Sequence, residues 1–169
     1  MQKIVDLRDA VITVSDGASS PNTATLRIGD GAFTFKQGSE KIYVPDAGKL
    51  WKVKDGDEMP VEVNFDFVWL HSHGEAGKTF EDILLGNNGC ESVDADACAP
   101  YACDIAVNCT AVCGNVSYYD NYDVSDFRVE PQTFDMKEGK VTLDGKANIT
   151  EVPHTQSSAS SSSSSSATA

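Results

Sequence analysis

The chain is short of the features that mark an enzyme, a membrane protein or a nucleic-acid binder. It contains no G-x-S-x-G, H-E-x-x-H, P-loop or G-x-G-x-x-G arrangement, the common frames for a nucleophile, a catalytic zinc or a bound phosphate. Carboxylates are so plentiful that no one pair of them points to acid–base chemistry, and the expectation is a protein that is not an enzyme. No run approaches the ~18–20 apolar residues of a membrane-spanning helix. The opening MQKIVDLRDAVITV is broken by Asp6, Arg8 and Asp9 and lacks a signal peptide's uncharged apolar core. The expectation is therefore a soluble protein, not exported by the usual route. Positive charge is thin: 13 Lys/Arg stand against 26 Asp/Glu, a formal net charge of −13. Such a surface repels nucleic acid and anionic lipid within a Debye length of ~8 Å.

What is present reads as strand. At 169 residues and 40% hydrophobic content the chain suits one ordinary domain with its own core. LRDAVITV alternates loosely and stops at SDGASSPN, a turn cluster. In TLRIGDGAFTFKQG the Asp30-Gly31 pair marks a hairpin or a bulge. VEVNFDFVWL, Val61 to Leu70, alternates most strictly. Val61, Val63, Phe65, Phe67 and Trp69 fall on one face, with Glu62, Asn64, Asp66 and Val68 on the other. PYACDIAVNC alternates again, and DVSDFRVEPQTFDM and GKVTLDGKANITEV supply late strands joined by a turn at Lys137 to Gly139. One short helix interrupts them. Thr79 is its N-cap, Asp82 stands in capping-box position, Phe80, Ile83 and Leu84 share a face, and Gly86 is the stop. Strands far outnumber helix, which predicts a mainly β protein: an antiparallel sandwich or barrel with one short flanking α-helix.

Three segments stand apart. Residues 38–60 carry Pro45, Gly48, Gly56 and Pro60 between short apolar pieces, a long excursion or extended ribbon between core strands. Its Lys49, Lys52 and Lys54 make it the most basic part of the chain, and Tyr43 and Trp51 suit either a partner contact or a fold back onto the domain. Residues 90–115 hold all five cysteines, spaced C-x7-C-x4-C-x5-C-x3-C. That spacing has no paired CxxC knuckle to aim two thiolates at one metal. Cys103 and Cys109 share a strand face about 20 Å apart at ~3.3 Å per residue, whereas Cys109 and Cys113 are able to approach across a turn. Buried reduced thiols, a metal site and a disulfide all remain open. His71 and His73 form a usable metal pair, with His154 the one other imidazole. Residues 154–169, rich in serine, have no anchoring apolar side chain and are expected to form a flexible tail beyond a domain spanning residues 1–153.

The charge is uneven. Residues 1–59 carry 8 Lys/Arg and 9 Asp/Glu, residues 60–169 carry 5 and 17. A plain solvated acidic face accounts for this. The polar side of Val61 to Leu70 would equally line a channel if many copies closed into a ring, and an acidic wall lets DNA pass without holding it.

Three stretches, in order, resemble the tail tube (major tail) proteins of long-tailed bacteriophages. They are DGDEMPVEVNFDFVW, a turn feeding a long strand with polar alternate residues; KTFEDILLG, the short helix; and PYACDIAV continuing to DFRVEPQTFDMKEGKVTLDGKANITE, two late strands. Together they cover about residues 55–151. The resemblance implies a protomer that assembles into stacked, hexameric rings with a continuous β-barrel lumen, in a virion built in the host cytoplasm. Its partners would be further copies of itself and other tail proteins, with tape-measure protein and DNA passing through the lumen. It implies no cofactor, no metal and no membrane. On this reading Glu62, Asn64 and Asp66 face the lumen, and residues 38–60, with Tyr43, Lys49, Trp51, Lys52 and Lys54, reach a neighbouring ring. The alternative is a small cysteine-rich β-domain that binds a metal.

Overall fold

The computed structural model describes residues 10–27, 32–68, 77–113, 116–135 and 137–160. Its strands are β1 (Val11–Ser15), β2 (Thr23–Arg27), β3 (Ala32–Lys36), β4 (Ser39–Asp46), β5 (Lys49–Glu58), β6 (Val61–Val68), β7 (Cys103–Cys113), β8 (Val116–Asp135), β9 (Lys140–Ala147) and β10 (His154–Ser160), with α1 (Phe80–Leu85) between β6 and β7. Strands β2-β1-β7-β8-β9-β6-β3 lie side by side in that order, β10 pairs with β8, and β4 and β5 form a separate two-stranded ribbon. Every pairing is antiparallel. The protein is mainly β with one short helix, as its alternation predicts.

β2 and β3 are consecutive in sequence yet end the sheet on opposite sides. In a flat sheet of seven strands they would lie roughly 29 Å apart at ~4.8 Å per strand, more than the about 18 Å that Arg27 to Ala32 can span. The sheet therefore curls until its ends approach. It does not close, because β2 pairs with β1 and β3 with β6 rather than with each other. Of the hairpin or bulge read at Asp30-Gly31, a β2–β3 hairpin is absent as a pairing among the described residues, and Asp30 and Gly31 themselves lie outside them. The aromatic side of β3 decides this: Phe33 sits 4.8 Å from Phe65 of β6, a contact that β2 does not offer.

The curl encloses one core. Ile12 and Val14 of β1, Val61, Val63 and Phe65 of β6, Cys103 and Ile105 of β7, Val124 and Phe127 of β8, and Val141 and Leu143 of β9 are all buried in it. α1 closes the core with Phe80, Ile83 and Leu84. The Thr79 hydroxyl accepts the Asp82 amide and the Asp82 carboxylate accepts the Thr79 amide, the reciprocal cap that T-F-E-D predicts, and Gly86 ends the helix at φ 68°. Phe65 is the hub, with ring centroids 5.7 Å from Phe127 and 6.2 Å from Phe80.

β8 serves three neighbours by bending twice. One extra residue falls between Val124 and Phe127, where Asp126 takes φ 54° and its amide donates to the Asp104 carboxylate at 3.0 Å. Another falls between Val129 and Gln132, around Pro131, which has no N–H to lose. Between the two bends Gly145 of β9 lets the backbones meet: a Cβ there would stand 2.2 Å from the Arg128 carbonyl oxygen and 2.6 Å from the Phe127 ring.

β10 corrects the expectation of a flexible tail for residues 154–160, and residues 161–169 lie outside the described ones. His154–Ser160 pair with Tyr122–Val116, and the His154 ring stacks on Tyr122 at 4.6 Å and bonds Asp120. An open strand edge is satisfied by backbone groups alone, so a serine run without apolar anchors still pairs there.

Candidate assembly surfaces

β6 follows its predicted alternation: Val61, Val63 and Phe65 are buried, while Glu62, Asn64 and Asp66 lie on the outer face. Phe67 and Val68 complete the strand, and Trp69 and Leu70 lie outside the described residues. Directly opposite residues in an antiparallel sheet share a face, so β3 and β9 contribute to the same surface. They bring lysines. Lys36 pairs with Glu62 at 3.3 Å, Lys140 with Asp66 at 2.6 Å and Lys146 with Glu130 at 3.4 Å, and the Asn64 amide donates to the Asp144 carboxylate. A hydrogen bond and the charge of Asp66 hold the Lys140 ammonium above the usual lysine range. The face read from β6 alone as acidic is a mixed, ion-paired surface. The lysines that change its character come from strands distant in sequence, which is why the alternation of β6 did not announce them.

The excursion at residues 38–60 is the β4–β5 ribbon. Ala47 and Gly48 turn it, both with positive φ (47° and 80°), as a two-residue hairpin turn between Asp46 and Lys49 requires. Its aromatics do not fold back. Trp51 is 72% exposed, Leu50 63% and Tyr43 62%, with Ile42 and Val53 also exposed. Lys41 pairs with Asp55 across the ribbon. Among the described residues Lys49, Lys52 and Lys54 have no ion-pair partner. A two-stranded ribbon is marginal in water on its own, and this one leaves its apolar groups uncovered.

Within the cysteine segment, residues 103–113 form β7, a central strand of the sheet, and residues 90–102 the loop before it. Cys103 and Cys109 are buried on its core face. Burial first, then the charges of Asp104 and Cys90, push the Cys103 thiol up to about 12. Burial and Asp120 raise the Cys109 thiol as well. Both are protonated and poor nucleophiles at neutral pH. The turn that would have let Cys109 meet Cys113 does not exist: β7 runs through both, about 13 Å apart at ~3.3 Å per residue. Among the described residues no group of three or more His, Cys, Asp or Glu side chains is placed to hold a metal ion. His71 and His73 lie outside the described residues.

The loop before β7 is pinned to the body by two devices that sequence reading missed. Arg128 reaches it from β8, with Nη2 donating to Asp94 at 2.6 Å and Nε to the Pro100 carbonyl at 3.4 Å. Asp16 holds the other side. Burial works to raise its carboxyl, but hydrogen bonds from the Asn22 side chain and the Asn22, Ala18 and Glu91 amides outweigh it and hold the group below its ordinary 3.8. Among the described residues no helix is long and apolar enough to cross a membrane.

No protein-family model matches the chain, and no curated protein matches it by sequence. Among solved structures it is similar to the cap that terminates the tube of the anti-feeding prophage, determined by cryo-EM. The TM-score is 0.55 at 12% sequence identity, over 93% of this chain and 94% of that one. At that identity the likeness is one of fold, and it runs the length of both chains.

Proposed function

We propose that the chain is a structural component of a phage or phage-derived tail, whose copies assemble into stacked rings around a central channel. The observation that carries this reading is the full-length fold likeness to a tube-terminating cap. The exposed apolar ribbon supports it, since a group of uncovered aromatics on a marginal hairpin is accounted for by burial against a further subunit. Among the described residues β2, β3 and β10 have open edges, which leave room for strand pairing between copies that would extend the curled sheet into a larger barrel.

On this reading the outer face of β3, β6 and β9 is the lumen wall, with Glu62, Asn64 and Asp66 on it. Its passivity comes from pairing rather than from excess acid. Proteins grip DNA by neutralising phosphates with Lys or Arg, and Lys36, Lys140 and Lys146 are each engaged by a carboxylate. The channel would carry tape-measure protein and then DNA without holding either, with no catalytic step. The test is negative-stain microscopy with light scattering of the purified chain over a range of concentration and salt. Rings or tubes with a central channel are expected. A chain that stays monomeric throughout ends the reading.

A further inference from the structure

The ribbon has two ends of opposite character. Toward its tip lie Lys49 and Lys52, unpaired among the described residues, beside the exposed Trp51 and Leu50, with Asp46 across the turn; Lys54, likewise unpaired among them, stands midway along β5 opposite Ile42. At its root the chain enters and leaves the ribbon through Glu40, Asp57 and Glu58, and Glu151 comes alongside from the segment after β9. Glu58 and Glu151 rim an open concavity of about 600 Å³, which Met59, Pro60 and Ile149 line with apolar surface, and Glu40 and Asp57 line a second hollow that shares Glu58, Met59 and Glu151 with it. Met59 is 44% exposed there. The outer half thus presents an aromatic and a leucine among lysines that outnumber its one carboxylate, Asp46, and the root an apolar seat flanked by carboxylates.

We infer that the tip of one ribbon, with Trp51 and its lysines, docks into the acidic root concavity of a second copy of this chain. A ribbon cannot satisfy its own root. Eight residues of β4 at ~3.4 Å each hold tip and root about 27 Å apart. Other carboxylates make poorer receivers. Asp94 is already bonded to Arg128 and to the Asp96 amide, and Asp96 accepts the Cys98 amide. Glu62 and Asp66 have lysine partners. The root alone combines several carboxylates that lack an ion-pair partner among the described residues with an exposed apolar floor. Because tip and root are different surfaces, each copy gives one contact and receives one. Such a head-to-tail contact propagates through a ring or along a stack instead of ending at a dimer. The contact rests on the assembly reading above and names the surface that receives the ribbon.

Charge reversal tests it. Lys49→Glu, Lys52→Glu and Lys54→Glu together form a tip variant, and Glu40→Lys, Glu58→Lys and Glu151→Lys a root variant. All six positions are exposed, and circular dichroism checks that each variant folds. Each alone is expected to lower the sedimenting, assembled fraction at least tenfold at low salt. Mixing the two is expected to restore assembly to within twofold of the parent, since each reversed surface then meets its complement. Assembly of the parent is also expected to weaken as salt rises. Loss in the tip variant but not in the root variant would place the ribbon elsewhere and overturn the inference, as would a mixture that fails to recover. If the parent assembles and neither variant differs from it, the pairing falls while the tube reading stands. A parent that never assembles ends both.

Discussion

The curled sheet and the β4–β5 ribbon are built from the same kind of residue and treat it in opposite ways. Phe65, Val61 and Val63 on β6 are buried against the chain's own helix and strands, while Trp51, Tyr43 and Leu50 on the ribbon are mostly exposed. The body is stabilised by its own packing. The ribbon holds its shape through one antiparallel ladder, a two-residue turn and the Lys41–Asp55 pair, and covers almost nothing of itself. A hydrophobic side chain inside the body is therefore evidence about folding, and one on the ribbon is evidence about association. The division ought to be visible in mutants: substitutions in the body should change stability, and substitutions on the ribbon should change assembly.

The largest effect on the stability side is expected at Phe65, which touches Phe33, Phe80 and Phe127 and so joins β3, α1 and β8. Phe65→Ala should cost about 3–5 kcal/mol, the range for emptying an aromatic site in a packed core. Urea unfolding of the monomeric protein measures it. A loss under about 1 kcal/mol would mean that the four rings do not form the keystone described here.

A smaller loss is expected at Asp16, and it carries a pH signature. Asp16→Ala leaves the Asn22 and Glu91 amides without their charged acceptor and should cost about 1–3 kcal/mol at neutral pH. Because the folded carboxyl is held below its ordinary 3.8, the carboxylate's contribution is fully present above that value. It is lost as pH falls below 3.8 and through the folded value. The gap between parent and variant should therefore narrow below about pH 4 in urea titrations. Asp104 works the other way. Burial first, then Asp126 and Asp123, raise its carboxyl against the bond from the Asp126 amide, so its share of stability falls as pH climbs above the ordinary value. A gap that widened in acid would contradict the bonding described for Asp16.

How much of this was legible in the sequence depended on how local the deciding interactions are. The helix was readable to the residue, because its caps and apolar face lie within eight positions, Thr79 to Gly86. The alternation of β6 and the separateness of residues 38–60 were readable for the same reason. What escaped was set by pairing between distant segments. β2 and β3 look like the arms of one hairpin, yet each finds a better neighbour across the sheet. β10 gives no signal because a strand edge recruits backbone, which every residue supplies. The candidate lumen face changed character for a related reason. Glu62 and Asp66 lie in a stretch of sequence with no lysine or arginine between Lys54 and Lys78, but in space they meet Lys36 and Lys140. The acids at the ribbon's root were likewise scattered, with Glu151 some ninety residues from Glu58.

The smallest expected change in stability is at Trp51, and it is the one that sharpens the comparison most. Its side chain is 72% exposed, so Trp51→Ser removes little packing, and the monomer's unfolding free energy should change by no more than about 0.5 kcal/mol. The same substitution should raise the concentration needed for assembly about tenfold or more, because a large aromatic that becomes covered at a contact is the kind of residue that dominates its energy. Light scattering against concentration gives the second number and urea titration the first. Phe65→Ala and Trp51→Ser thus make a crossed pair, one expected to weaken the fold and the other the contact. If Trp51→Ser destabilised the monomer by several kcal/mol, the ribbon would be part of the core after all. The distinction between the two regions would then be one of degree.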